Sequence, residues 1–321
     1  MSKVILQPSG NKDAREHYED TIQNPVPIEV LSKYLPEETL DQVKTFYPDG
    51  LIPTWGVTPG KNNVNVSKWE KIQTGDVTLF SANGQIFASG VVVMKLRHKE
   101  LAAKLWGYDG TGQTWEYVYF LDEIKQHNIP YIDFNRTVGY ADNYIIQGFN
   151  VLREELSERM LLSFNLKSEI YLPDVSPEEY EEEVLLFEDH ESLDTHRTGK
   201  GRKEQPFLRK QLFKNKKVGS CGICGNQYPV DLLVAAHIKK RSRCSREERL
   251  DYKNIVIPMC KFGCDDLFEK GYIIVVNGKV LRNTKKSYTP HLLEKVIQIE
   301  SRECQHWNDN TRKYFEWHQQ E

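Results

Sequence analysis

The chain has 321 residues, 39% hydrophobic and 28% charged, the composition of a soluble globular protein with room for two ordinary cores. No run approaches the ~18–20 apolar residues of a membrane span. The N-terminus "MSKVILQPSGNKDAREHYED" carries neither a secretory nor an Arg-rich targeting pattern, so a cytoplasmic location with no membrane partner is expected. The net charge of −3 conceals a division: residues 1–198 hold 18 Lys/Arg against 32 Asp/Glu, and residues 199–286 hold 21 against 8. Such a basic stretch points either to a polyanionic partner or to a surface matched to the acidic half.

Residues 1–50 are polar, with short helical patterns. "PVPIEVLSKYLPEETLDQVKTFYPDG" spaces its apolar residues helically and punctuates them with proline. From Trp55 the pattern becomes β. "VTLF" and "QIFASGVVVMKL" flank "SANG", whose Asn83-Gly84 pair predicts a tight hairpin. "KELAAKLWG" predicts a short helix ended by Gly107. "TWEYVYFLDEI", Thr114–Ile124, predicts a strand, and "NYIIQGFNVLREELSERMLL" passes from a short strand through Gly148 into an amphipathic helix. The expected product is a mostly β module over residues 52–162 with helices at its margins. Residues 166–205 read as an acidic, partly helical linker that begins a helix at Ser176-Pro177-Glu178 and closes on "GKGRK".

From Pro206 the chain is basic, and "FLRKQLFKNK" predicts a helix with Phe207, Leu208, Gln211 and Leu212 on one side. Four of the six cysteines then form two close pairs, Cys221-x2-Cys224 and Cys260-x3-Cys264. Close pairs without a secretory signal point to metal rather than disulfides. Four thiolates suit a closed, tetrahedral, structural Zn²⁺ site; a set of reduced buried cysteines is the other reading. Cys244 reads as a non-ligand, although it could displace one of the four. Between the pairs, "DLLVAAHI" is a strand ending near His237 and "KNIVIPMC" is a second strand. "DDLFEKGYIIVV" is a helical turn followed by a third.

The flanking cysteine pairs, "AAHI", "NIVIPMC" and "CDDLFEKGYI" together resemble the HNH endonucleases, nucleases of ββα-metal fold. The resemblance covers about Phe207 to Ile274, and more loosely the tail through "KYFEWH". It makes His237 the first signature histidine and Asn254 the signature asparagine. At the third position the family usually has histidine, whereas this chain has Asp265, followed by Asp266, with Glu269 where the family often has Asp. Carboxylates are hard ligands, so the change either preserves a catalytic Mg²⁺ or Mn²⁺ site or removes activity. On the first reading His237 is the general base toward water. Asp265, with Asp266, then holds the one catalytic ion, and Asn254 fixes the loop and orients His237 through a backbone bond. Outside this constellation a lone histidine at a strand end and a lone asparagine are ordinarily structural. Arg209, Lys239, Lys240, Arg241 and Arg243 are expected to neutralise phosphates of double-stranded DNA.

The segments "TWGVTPG", "SKWEKIQTGDVTLFSANGQIFASGVV", "KLWG" and "QTWEYVYFL", over about residues 50–155, resemble the PUA-like superfamily of small β barrels, related to EVE and SRA domains. Relatives in that superfamily bind modified or flipped bases. Reading an unstacked base needs an aromatic-walled pocket with a few hydrogen-bonding groups. Most aromatics of so small a module must be core. Trp55, placed in a Gly/Pro loop before the first strand, and Trp106 are the candidates for base recognition.

The expectation is an α+β chain. An N-terminal PUA-like β barrel with flanking helices spans residues 1–165, a linker 166–205, and a ββα-metal HNH nuclease domain with structural zinc 206–321. The function implied is that of a DNA endonuclease, in the setting of a restriction enzyme directed either to modified or to unmodified sites. One nuclease core cuts one strand, so a double-strand cut implies a homodimer or two independent events. A catalytically silent, zinc-stapled DNA-binding protein and an RNA-cleaving nuclease are the alternatives.

Overall fold

The apolar patch near the N-terminus, unassigned by patterning, is an interior strand of a sheet. The structure, a computed structural model, describes residues 1–186, 204–214 and 216–320, and it divides into two units, Met1–Pro173 and Asp174–Glu321. In the first unit β1 (Val4–Pro8), β2 (Thr54–Val57), β3 (Val77–Ala82), β4 (Gln85–Arg97), β5 (Tyr117–Pro130) and β6 (Asn150–Val151) form one sheet. Its order is β2-β5-β4-β3-β1-β6. β1 runs parallel to β3, with Val4 opposite Val77 and Pro8 opposite Ser81; the other pairings are antiparallel.

Side chains alternate across the pleat. Val4, Leu6, Val77, Leu79, Val118 and Phe120 enter one buried cluster, and Ile5, Phe80, Tyr117, Tyr119 and Leu121 enter the other. Burial on both faces explains why Val4, Ile5 and Leu6 of β1 are apolar without alternation. Register shifts along the β4–β5 pairing, between Ile86 and Ala88, Ser89 and Val91, and Val92 and Met94, are bulges that bend and twist a sheet. The result is a curled half-barrel. Among the described residues no pairing joins β2 to β6, so the closed barrel expected from the sequence is corrected to an open one.

The β3–β4 hairpin turns at Asn83 and Gly84, with φ of 52° and 80°, the left-handed pair that a two-residue turn demands. Helices α1 (Lys12–Tyr18), α2 (Glu37–Phe46), α3 (Lys99–Trp106), α4 (Tyr131–Val138) and α5 (Glu154–Ser163) surround the sheet. The strand read as Thr114–Ile124 begins at Tyr117 and continues to Pro130. The short strand read before Gly148 lies after it. Asp76, in the Gly-Asp entry to β3, accepts from the backbone of Lys3 at 2.7 Å and of Gln73 at 2.9 Å. Burial, opposed by those two N–H donors, pushes its carboxyl up to about 6.

Gly56 in β2 admits no side chain. A Cβ there would lie 2.7 Å from Trp106 Cζ3 and would also strike the carbonyl oxygen of Trp115. Gly56→Ala is therefore expected to destabilise the first unit by about 1–3 kcal/mol, read as a lowered midpoint of that unit's transition in urea.

In the second unit α6 (Pro177–Leu186) precedes α7 (Glu204–Phe213); residues 187–203 of the expected linker, with its acidic end and "GKG", lie outside the described residues. Ser176 caps α6, accepting from Glu179 N at 3.1 Å. Next come β7 (Val218–Ser220), β8 (Gln227–Pro229), β9 (Leu233–His237), α8 (Arg246–Leu250), β10 (Val256–Cys260) and α9 (Cys264–Glu269). β11 (Ile273–Val276), β12 (Lys279–Arg282), α10 (Pro290–Ile297) and α11 (Arg312–His318) complete the unit. β9 and β10 are antiparallel, with Leu233 opposite Cys260 and His237 opposite Val256, and α9 follows directly, a β-β-α arrangement. Phe207 and Leu208 anchor α7 in the core, with Tyr180 stacked on Phe207 at 4.3 Å. From α11, His318 stacks on Phe268 of α9 at 3.7 Å and donates through Nε2 to the Phe268 carbonyl at 2.8 Å.

Candidate functional site

The four paired cysteines converge. The sulfurs of Cys221, Cys224, Cys260 and Cys264 all lie within 4.8 Å of one another, and all four residues are buried. The first pair sits in the turn between β7 and β8, closed by Gly225 N to Cys221 O at 2.9 Å with Gly225 at φ 71°. The second pair joins the end of β10 to α9, through Gly263 at φ 127°. The Cys260 amide donates to Cys221 Sγ at 3.4 Å. Hydrogen bonds from Cys221 and then Cys264 hold the Cys260 thiol down to about 2, while the hydrogen bond to Cys260 pushes Cys221 up to about 12. Tetrahedral Zn²⁺ with Zn–S near 2.3 Å separates its sulfurs by about 3.8 Å, so the cluster has the size, donor type and burial that a structural Zn²⁺ requires. Cys244 stands apart, donating to the carbonyls of Lys239 at 3.5 Å and Lys240 at 3.3 Å.

One face of the β-β-α arrangement borders a cavity of about 740 Å³, whose lining includes His237, Lys240, Arg241, Arg249, Asp265 and Glu269. His237 ends β9. Its pKa is lowered, chiefly by burial, with Glu204 opposing and Arg241 assisting; the imidazole is therefore neutral at neutral pH and able to accept a proton. Asp265 opens α9, and its pKa is raised by burial first and then by Glu269, Asp266 and Cys260. Residues 265 and 269 are four apart on a helix and share a face.

Asp266 does not join them. It is 71% exposed and paired with Lys270 at 2.7 Å, because the 100° step from one helical residue to the next turns it to solvent. The second carboxylate at the cavity is Glu269, a correction to the Asp265–Asp266 pair. Asn254 lies in the loop before β10: its Nδ2 donates to Asp251 Oδ1 at 2.6 Å, and Asp251 Oδ2 accepts from Tyr314 at 2.6 Å. Asn254 thus fixes the loop, while the backbone bond beside His237 runs from Ile238 N to Ile255 O at 2.8 Å. Among the described residues the four cysteines are the one group of three or more metal-ligating side chains within 4.8 Å. His237, Asp265 and Glu269 share a cavity without closing into a ligand cluster of that size.

The basic residues divide by partner. Arg209 donates to the carbonyl groups of Val230 at 2.9 Å and of Leu233, and it lies over the Phe213 ring. Lys239 is 13% exposed and held by both oxygens of Glu248, at 2.6 and 2.8 Å. These two brace the fold and are corrected from phosphate contacts to structural residues. Lys240, Arg241 and Arg249 line the cavity, and Arg243 is exposed.

In the first unit Trp55 is 2% exposed. It lies in β2 rather than in a loop, edge-on to Phe80 with ring centres 5.0 Å apart, and so belongs to the core rather than to a base-binding wall. Trp106 is half-buried, packs over Gly56 and donates to Thr21 Oγ1 at 3.3 Å. An open cavity of about 260 Å³ lies instead beside α1 and the β3–β4 turn, lined in part by Ser9, Arg15, Tyr18, Asn83, Gln85 and Phe87. Tyr18 and Phe87 meet edge to face at 5.0 Å. Arg15 is held over the loop by its bond to the Gly10 carbonyl at 2.8 Å.

No family model matches the chain, and no curated protein matches it. Among solved structures it is similar to the N-terminal domain of Thermococcus gammatolerans McrB bound to m5C DNA. The TM-score is 0.39 and the identity 16%, over 52% of this chain and 100% of that one. No helix among the described residues is long and apolar enough to cross a membrane.

Proposed function

We propose that the protein is a DNA endonuclease whose second unit hydrolyses a phosphodiester bond and whose first unit selects the DNA through an unstacked base. The observation that carries the reading is the shared cavity: a neutral imidazole, two carboxylates on one helical face and a set of basic side chains line the same space. Each has a task in phosphodiester hydrolysis. His237 takes a proton from water. Lys240 and Arg249 hold the anionic backbone. Asp265 and Glu269 would hold Mg²⁺ or Mn²⁺, which when bound neutralises charge on the phosphate and the departing oxygen. The four thiolates would hold a structural Zn²⁺ that fixes the end of β10 to α9, and with it the register of His237 against Asp265.

The base-binding part of the proposal rests on the smaller cavity. It offers the partly exposed Phe87 ring with hydroxyl, amide and guanidinium groups around it, the kind of combination that an extruded base requires. Its size lies just below the ~300–1,000 Å³ of drug-sized sites, as suits a single base. The test is cleavage of matched DNA carrying cytosine, methylcytosine or hydroxymethylcytosine. One form is expected to be cut at least about tenfold faster than the others, and Phe87→Ala is expected to remove the preference. Equal rates on all three would sink base discrimination while leaving the hydrolytic reading intact. A second reading, a silent DNA-binding protein, is favoured by Asp265 at the position of a signature histidine, and it predicts DNA binding with no product under any of these conditions.

A further inference from the structure

Glu204 stands in the nuclease unit with no place in the signature motifs. It opens α7, some thirty residues before His237 in sequence, yet its side chain reaches the His237 cavity. The residue is 7% exposed. One carboxylate oxygen lies 3.7 Å from His237 Nε2, and the carboxylate accepts from Arg241 Nε at 2.7 Å. A carboxylate so deeply buried must be compensated. Arg241 supplies a hydrogen-bonded partner, and the carboxylate oxygen that accepts from it is also the one 3.7 Å from the imidazole.

We infer that Glu204 is a positioning residue for His237: clamped by Arg241, its carboxylate holds the Nε2 edge of the imidazole and leaves Nδ1 to accept a proton in the cavity. The inference rests on the hydrolytic reading of that cavity. The two ring nitrogens of a neutral histidine are distinct, and the group facing one decides which of them carries the proton. An acceptor beside Nε2 selects the Nε2–H tautomer, and only that tautomer leaves Nδ1 as a base. The separation of 3.7 Å exceeds hydrogen-bond length. Such contacts in proteins without substrate are commonly long and tighten when charge develops.

The step balances. Water gives one proton to Nδ1, and its oxygen bonds to phosphorus. The bond from phosphorus to the departing 3′ oxygen breaks, and that oxygen takes a proton from solvent. The imidazolium then faces Glu204 until Nδ1 returns its proton to solvent. Arg241 has the opposite influence on the resting state, since a cation beside the ring disfavours protonation before substrate arrives. The other charged or titratable groups around the cavity are Lys240, Arg249, Asp265, Glu269 and His318. They are common to wild type and variant, so a difference between the two isolates Glu204.

The test uses the full-length, zinc-loaded chain. Long-range proton–nitrogen spectra of ¹⁵N-labelled protein, with the His237 signals assigned from His237→Gln, report the tautomer without any variant of Glu204. The Nε2–H form is expected; the Nδ1–H form overturns the inference. In single-turnover cleavage, Glu204→Gln is expected to lower the plateau rate by about 10- to 100-fold at unchanged DNA affinity. The acid limb of its pH profile should move to lower pH, because the lost charge had favoured the imidazolium. Glu204→Asp keeps the charge, and it should return the limb toward its wild-type position even if Glu204→Gln folds poorly. A plain structural counter-ion for Arg241 moves the limb through its charge alone, but predicts no Nε2–H preference and an unchanged plateau rate in Glu204→Gln. If the wild type cleaves and Glu204→Gln cleaves equally with the same limb, positioning by Glu204 is refuted and the nuclease reading stands. If the wild type cleaves nothing, the nuclease reading fails, and the nitrogen spectra alone decide whether Glu204 holds His237.

Discussion

Removal of zinc, or Cys260→Ser, is expected to unfold the second unit outright. Purified protein should carry one Zn²⁺ per chain, released when the thiols are modified, and the cooperative transition of that unit should vanish with it. The size of the effect follows from the architecture. The cysteines join the turn of a hairpin with three-residue strands, β7 and β8, to the junction of β10 and α9. Structural Zn²⁺ contributes about 10–16 kcal/mol in small domains, as much as the whole stability of about 5–15 kcal/mol of an ordinary one. Cys260→Ser removes the ligand at the end of strand β10. Cys244→Ser, away from the cluster, should leave the zinc content at one. A folded second unit with less than one zinc would contradict the assignment.

The second large effect concerns the helix face at the cavity. Asp265→Asn and Glu269→Gln are each expected to lower metal-dependent cleavage by about a hundredfold or more, because a bound ion supplies several kcal/mol of charge stabilisation. Asp266→Asn is expected to leave the rate within about threefold, since that side chain is exposed and paired with Lys270. The pH dependence has a definite sign. His237 acts as a base only when neutral, so the rate is lost as pH falls through its pKa, and burial places that pKa below the ordinary imidazole value. The acid limb should therefore lie below about 6.5. A limb well above that value would show that another group controls the rate.

Local signals were legible. Asn83-Gly84 gave its hairpin and Gly107 its helix end, because each depends on chemistry within a few residues, and the two close cysteine pairs gave their convergence through ligand type and spacing. Strand–loop–strand–helix order from Leu233 to Glu269 was legible for the same reason. β1 was not, because its partner β3 lies some seventy residues away and the three apolar residues Val4, Ile5 and Leu6 carry no period of their own. Trp55 was misplaced because flanking proline and glycine read as a loop, whereas the partner strand β5 makes that stretch a buried edge. Charge density alone could not separate Lys239 and Arg209, which are spent on Glu248 and on backbone carbonyls, from Lys240 and Arg249, which line the cavity. The pairing of Asp265 with Glu269 was available from helical spacing, whereas adjacency drew attention to Asp266. Glu204 carried no local signal at all: a single acid at the start of a basic segment reaches His237 only through the packing of α7 against β9.

The most direct measurement of the central claim is nicking of supercoiled plasmid by zinc-loaded wild-type protein and by His237→Ala, with Mg²⁺ or Mn²⁺, on DNA of each cytosine form. The account predicts open-circular product from the wild type. It predicts a rate lower by about 10²- to 10⁴-fold from His237→Ala at equal zinc content and DNA affinity. Equal nicking by the two proteins, or none by the wild type on any of these substrates, would contradict it.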